Sequence, residues 1–186
     1  MDDYPSIARD VVDVDIYAFD KIDGSQIRAE WGPKKGFWKF GTRTHLTDEN
    51  DEQWGDAVKS VKLLYADPLH EIFKGERFQK VIAFFEYWGP SSFAGNHAKD
   101  EIHIVTLFDF RVYKKGILPP NEFIRLTRDK IVTAGLLYHG KANQLFVEQV
   151  KTGKLEGMTF EGVVCKSVKM KTLDSLGCSR SRAKLG

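Results

Sequence analysis

Hydrophobic and polar positions alternate with a period of two over "VVDVDIYAF" (11–19), which sets Val12, Val14, Ile16 and Ala18 on one side and predicts a half-buried strand. Two more strands are predicted over "QIRAEW" and "GFWKFGTRT", joined through "GPKKG", whose glycines and proline supply turn geometry. Between Asp51 and Gln79 the period changes. Trp54, Val58, Val61 and Leu64 or Tyr65 recur at helical spacing and Pro68 interrupts before "LHEIFKGERF", so two helices are expected. "VIAFFEYW" (81–88) and "IHIVTLFDFRVY" (102–113) are rich in β-branched and aromatic residues and predict buried strands, separated by the loop "GPSSFAGNHAKDE". "PPNEFIRLTRDKIV" and "KANQLFVEQVKTG" predict helices, the first opening on two prolines that suit a helix start. "TFEGVVCKSVKMKT" predicts two short strands around Ser167. Strands interrupted by helices without strict βαβ alternation predict an α+β fold of antiparallel sheets with flanking helices.

Composition narrows the picture without adding chemistry. A chain of 186 residues is expected to form a single domain over 1–186 and to bury about two-thirds of its unfolded surface, so it needs no disulfide or metal to hold it. No apolar run approaches a membrane span, and the acidic start "MDDYPSIARDVVDVD" is unlike a secretory signal, so a cytoplasmic location is the expectation. Cys165 and Cys178 are read as reduced thiols. The net charge is only +2, but "DENDE" concentrates acid while Lys166, Lys169, Lys171, Arg180, Arg182 and Lys184 concentrate base near the end. By itself such a cluster is a solvated face. The five histidines lack paired metal-ligand spacing, and only His97, in the long loop after "VIAFFEYW", stands where a substrate contact is conceivable.

The chemistry starts from "DKIDGSQIRAEW" (20–31), where Lys21 stands two residues before an Asp-Gly pair at a strand end or turn. Lys-x-Asp-Gly alone is weak and reads as a loop charge. It is followed in order by "FFEYWG" (84–89), "FDF" (108–110), "FEGVVCK" (160–166) and "VKMKT" (168–172). A carboxylate at Glu86, among Phe84, Phe85, Tyr87 and Trp88 on a strand, is costly to bury without a hydroxyl or cation nearby. Lys169 and Lys171, two apart, point to the same face if the segment is a strand.

This ordered series resembles the motifs of the covalent nucleotidyltransferases, the superfamily of polynucleotide ligases and RNA capping enzymes, in its ATP-dependent RNA ligase branch. The resemblance runs from Lys21 to Lys171 and implies an ATP-grasp-like ligase catalytic domain. It makes Lys21 the nucleophile that attacks the α-phosphate of ATP, which demands a neutral amine; neighbouring cations such as Lys166, Lys169, Lys171 and Mg2+ favour that form. Asp23 and Gly24 complete the first motif, and Gln26 falls where one branch of RNA ligases carries an amide. Glu86 is implied as a ribose ligand and Phe108 as a purine-stacking ring, although a core role is as common for such a phenylalanine. Arg43 falls where the superfamily often has an arginine contacting phosphate or ribose; Arg28 is a weaker candidate of the same kind. Glu161 is implied as a divalent-metal ligand, with Gly162 allowing close backbone approach, and Lys166, Lys169 and Lys171 as phosphate contacts.

DNA ligases and capping enzymes append an OB domain, for which "LDSLGCSRSRAKLG" leaves no room, so the resemblance favours the RNA branch without an OB domain. The expected reaction is adenylation of Lys21, transfer of AMP to a 5′-phosphate end, and sealing by a 3′-hydroxyl, with a separate end-recognition partner an open option. A small DNA ligase and a non-catalytic module that binds nucleic-acid ends remain alternatives; a binder has no use for an unprotonated lysine.

Overall fold

The computed structural model describes residues 14–92, 96–159, 161–168 and 176–179, the last as backbone. These residues divide between two compact units, one running through 23–118 and 122–133, the other including 14–22 and 134–168.

The first unit is built on a six-stranded sheet of order β4-β3-β2-β5-β6-β7. Its strands are β2 (Ser25–Gly32), β3 (Gly36–Gly41), β4 (Leu46–Thr47), β5 (Val81–Trp88), β6 (Ile104–Val112) and β7 (Gly116–Ile117), each neighbouring pair antiparallel. Helix α1 (Gly55–Gly75) covers one face. Where two helices were expected there is one, and Pro68 sits inside it. The reason lies in the spacing of Val61, Tyr65, Leu69 and Phe73, all buried, which continues unbroken past a Pro68 that faces solvent with Leu64. Water can satisfy the carbonyl that proline leaves unpaired, while each fully buried side chain of this row contributes about 1.5–3 kcal/mol. Edge-on ring contacts join α1 to the sheet: Phe73 with Trp31 (5.3 Å) and Phe110 (5.0 Å), and Tyr65 with Phe85 (5.0 Å). The Tyr65 hydroxyl donates to the carbonyl of Val105 at 2.8 Å. Helix α2 (Pro120–Thr127) opens on the second proline as expected, and its Phe123 packs on Phe110.

The second unit holds a four-stranded antiparallel sheet of order β10-β9-β1-β8, made of β1 (Asp15–Asp20), β8 (Leu136–Lys141), β9 (Gly162–Lys166) and β10 (Leu176–Ser179). The alternation in β1 buries Ile16 and Ala18 against Phe146 and Val150 of α3 (Gln144–Lys151), with Val163 and Cys165 of β9 in the same core. Asn143 caps α3 by accepting from the amide of Phe146 at 2.9 Å. Cys165 is a buried free thiol, as expected. Strand β8 was not expected, and the second strand expected after Ser167 falls mostly outside the described residues. Among the described residues no helix is long and apolar enough to cross a membrane.

Candidate functional site

In the four-stranded sheet, β1 and β9 pair in a register that sets Asp20 opposite Val163. One residue on, the Lys21 amide donates to the carbonyl of Gly162 at 3.0 Å, so the chain leaves β1 beside the residue that begins β9. Glu161 is next, and the Lys21 Nζ forms an ion pair with its Oε1, joining residues 140 apart in sequence. The two side chains are 26% and 33% exposed, which leaves the pair open to a ligand. Gly162 has φ 128°, a conformation that a side chain at this turn into β9 would strain.

Asp20 braces the same corner. Its Oδ1 accepts from both the amide and the hydroxyl of Thr159 at 2.9 Å. Burial pushes the Asp20 carboxyl above its ordinary value, with the Thr159 hydrogen bonds pulling the other way. Lys166, at the far end of β9, is buried with its Nζ 4.9 Å over the Phe19 ring, on the sheet face opposite the α3 core. Lys169 and Lys171 lie outside the described residues. Sequence reasoning passed over Thr159 and Asp20, whose residue types carry no mark of their roles.

In the six-stranded sheet, the face turned away from α1 carries Gln26, Arg28, Glu86 and Phe108. Gln26 lies directly opposite Glu86, Arg28 opposite Phe84, and Glu30 opposite Ile82, so these side chains share a face, while Phe85 and Tyr87 alternate toward α1. Phe108 reaches the same face through a bulge. Phe84 pairs with Asp109 and Phe85 with Leu107, leaving Phe108 as the extra residue, half-buried with its ring 6.1 Å from Phe84. Arg28 and Asp109 are buried, charged and on this face; "FDFRV", with Asp109 and Arg111 two apart in an apolar strand, held the signal for them. Arg28 Nη2 donates to the Arg43 carbonyl at 3.3 Å, whereas the Arg43 side chain is exposed.

Gly24, beside Asp23 at the entry to β2, is required by space. A Cβ there would stand 2.4 Å from the Tyr87 carbonyl oxygen and 2.8 Å from the Trp88 Cβ. Gly24→Ala is therefore expected to destabilise the protein by about 1–3 kcal/mol, read as a lower urea midpoint. His97 is on the α1 side instead. Its ring meets Tyr87 (5.2 Å), Trp54 (5.9 Å) and His103 (5.2 Å), and its two nitrogens share 2.9 Å hydrogen bonds with the Ser92 and Ser25 hydroxyls. Burial first, then His103, lowers its basicity. It pins the loop to the start of β2 on the face opposite Glu86.

One unit thus pairs Lys21 with Glu161, and the other carries Glu86 and Phe108 on one sheet face. The chain belongs to the RNA ligase family, whose model matches residues 14–185. Among solved structures it is similar to a Naegleria gruberi RNA ligase mutant with ATP and Mn (17% identity, TM-score 0.62, covering 89% of this chain and 50% of that one). The same enzyme with PPi matches at 17% identity and TM-score 0.63, covering 89% and 49%. An archaeal ATP-dependent RNA ligase matches at 17% identity and TM-score 0.67, covering 95% and 48%. The chain thus shares their fold and spans about half the length of each. No curated protein sequence matches it.

Proposed function

We propose that the chain carries the nucleotidyltransferase activity of an ATP-dependent RNA ligase, with Lys21 as the residue that becomes adenylated. The observation that carries this reading is the Lys21–Glu161 pair, which the β1–β9 register brings together across 140 residues in the order of the family's motifs. The Lys21 Nζ attacks the α-phosphorus of ATP. A P–N bond forms, the P–O bond to the β-phosphate breaks, and pyrophosphate leaves. An ammonium has no lone pair, so Nζ gives one proton to water and its ion pair with Glu161 opens before attack, and a second proton leaves to water as the P–N bond forms.

The residues fit ATP. Gln26 Nε2 is buried without a hydrogen-bond acceptor among the described residues, which suits an acceptor carried by a nucleotide. Glu86 on the same face is the ribose ligand, Phe108 the ring that stacks on the purine, and Asp23 and Arg43 flank the same binding region in sequence. Lys166, Lys169 and Lys171 neutralise phosphate. The donor set also fits a hard divalent cation such as Mg2+. Among the described residues no three His, Cys, Asp or Glu side chains cluster; Glu161 would supply one carboxylate to such a cation. When bound, the cation neutralises charge on the phosphates. The AMP passes to a 5′-phosphate RNA end, which a 3′-hydroxyl then attacks, and a further segment or separate partner selects the ends.

The test is incubation with each α-labelled nucleoside triphosphate and Mg2+, followed by denaturing electrophoresis. A label retained on the protein with ATP alone is expected. No label with any nucleotide would remove the reading, and sealing of an all-DNA nick in preference to RNA would move the substrate to DNA.

A further inference from the structure

A second bulge in the six-stranded sheet has an aromatic residue at its centre, far along β2 from Gln26 and Glu86. Glu30 pairs with Lys39 and Trp31 with Phe37, so Trp38 is the extra residue in β3. Its neighbours fix its direction. The Phe37 ring meets Phe73 of α1, and Phe40 lies under the Lys62 amine of α1, so Trp38 and Lys39 between them project to the face turned away from the helix. That is the face of Glu30, Arg28, Gln26 and Glu86. Glu30 lies four residue steps along β2 from Gln26, about 14 Å at about 3.4 Å per residue.

Trp38 is 47% exposed, and cations surround it. Lys35 Nζ is 4.7 Å and Lys39 Nζ 5.9 Å from its ring centroid, and Lys34 is exposed in the same turn. Glu30, the acid beside them, is already paired with Lys80 at 3.1 Å, so its charge does not offset the lysines. An exposed tryptophan contributes little to the core. A lone one needs no explanation, but one flanked by amines on the face of the candidate nucleotide site has the components of a single-strand platform: a ring on which any base stacks, and cations for the phosphates on either side.

We infer that Trp38, with Lys35 and Lys39, binds a nucleotide of single-stranded RNA, holding the strand away from the reacting end. The inference rests on the RNA ligase reading, and it names a contact that the adenylation chemistry does not use. The lysines attract the strand whatever its sequence, and the ring selects an unpaired base over one stacked in a duplex.

The probe is a fluorescent single-stranded RNA of about twelve nucleotides with a 5′-hydroxyl, which can be neither adenylated nor sealed. Its affinity is measured by anisotropy beside auto-adenylation with ATP. Trp38→Ala is expected to weaken RNA binding about tenfold and Trp38→Phe much less, with auto-adenylation at the parental level. Lys35→Ala with Lys39→Ala is expected to lower the slope of log affinity against log salt by about 1.4 for two lost phosphate contacts. RNA affinity unchanged in Trp38→Ala overturns the inference, as does parental affinity that is equal for a duplex of the same length. A parent that fails to adenylate but binds RNA through Trp38 would remove the ligase reading and leave this surface standing.

Discussion

Lys21→Ala and Lys21→Arg are both expected to abolish the acid-labile protein-AMP adduct, a fall of at least about a thousandfold in adenylation that intact mass spectrometry after incubation with ATP and Mg2+ will read. The alanine lacks a nucleophile. The arginine keeps a positive charge that can still pair with Glu161, but its guanidinium stays protonated at any working pH and cannot attack phosphorus. Stability should change by no more than about 1 kcal/mol, because the pair removed is partly exposed and such pairs contribute little. The steps should also separate. Sealing of a strand supplied with its 5′ end already adenylated needs no nucleophilic lysine, so it is expected to persist in both variants while sealing from ATP is lost. An adenylate on the Lys21→Ala protein, or an adduct at Lys166, Lys169 or Lys171 in the parent, would place the chemistry elsewhere.

What makes Lys21 a candidate in the sequence is the order of the motifs, since nothing local distinguishes it from a loop charge. The period of two in β1 and the apolar content of β5 were equally readable, because each strand has a buried face whose composition is forced: Ile16 and Ala18 against α3, Phe85 and Ala83 toward α1. Strand β8 was not readable. Its burial runs exposed, half-buried, half-buried, exposed, half-buried, exposed along "LLYHGK", and it takes the edge of its sheet, where composition is weakly constrained. Pro68 misled because helix continuity there depends on which way the proline faces, a property of the tertiary packing. The bulges at Trp38 and Phe108 were hidden for a related reason. One extra residue in a strand leaves no mark in composition, yet it decides which face an aromatic ring joins. For Phe108 this changes the balance between core and site, since the bulge carries it to the face of Glu86.

Glu161 has two possible contributions, and a pair of substitutions separates them. As the acceptor of the Lys21 hydrogen bond it positions the amine; as a carboxylate it offers negative charge to a divalent cation. Glu161→Ala removes both, and is expected to lower adenylation by at least about a hundredfold. Glu161→Gln keeps an oxygen at nearly the same place and can still accept from Lys21, but loses the charge. If the carboxylate's hold on metal is what matters, the glutamine variant should be as impaired as the alanine variant, and raising Mg2+ or Mn2+ should recover part of the rate. If positioning is what matters, glutamine should restore most of it with an unchanged metal dependence. The first result is expected, because a hard divalent cation takes charged oxygen ligands, and the glutamine amide offers no charge. Glu86→Ala supplies the contrast. Its proposed partner is a ribose hydroxyl away from the reacting phosphate, so it should raise the ATP concentration needed for half-maximal adenylation and leave the rate at saturation and its metal dependence near the parent's. Equal adduct formation by the Glu161→Ala, Glu86→Ala and parent proteins would mean that neither carboxylate meets the nucleotide, whatever the motifs resemble.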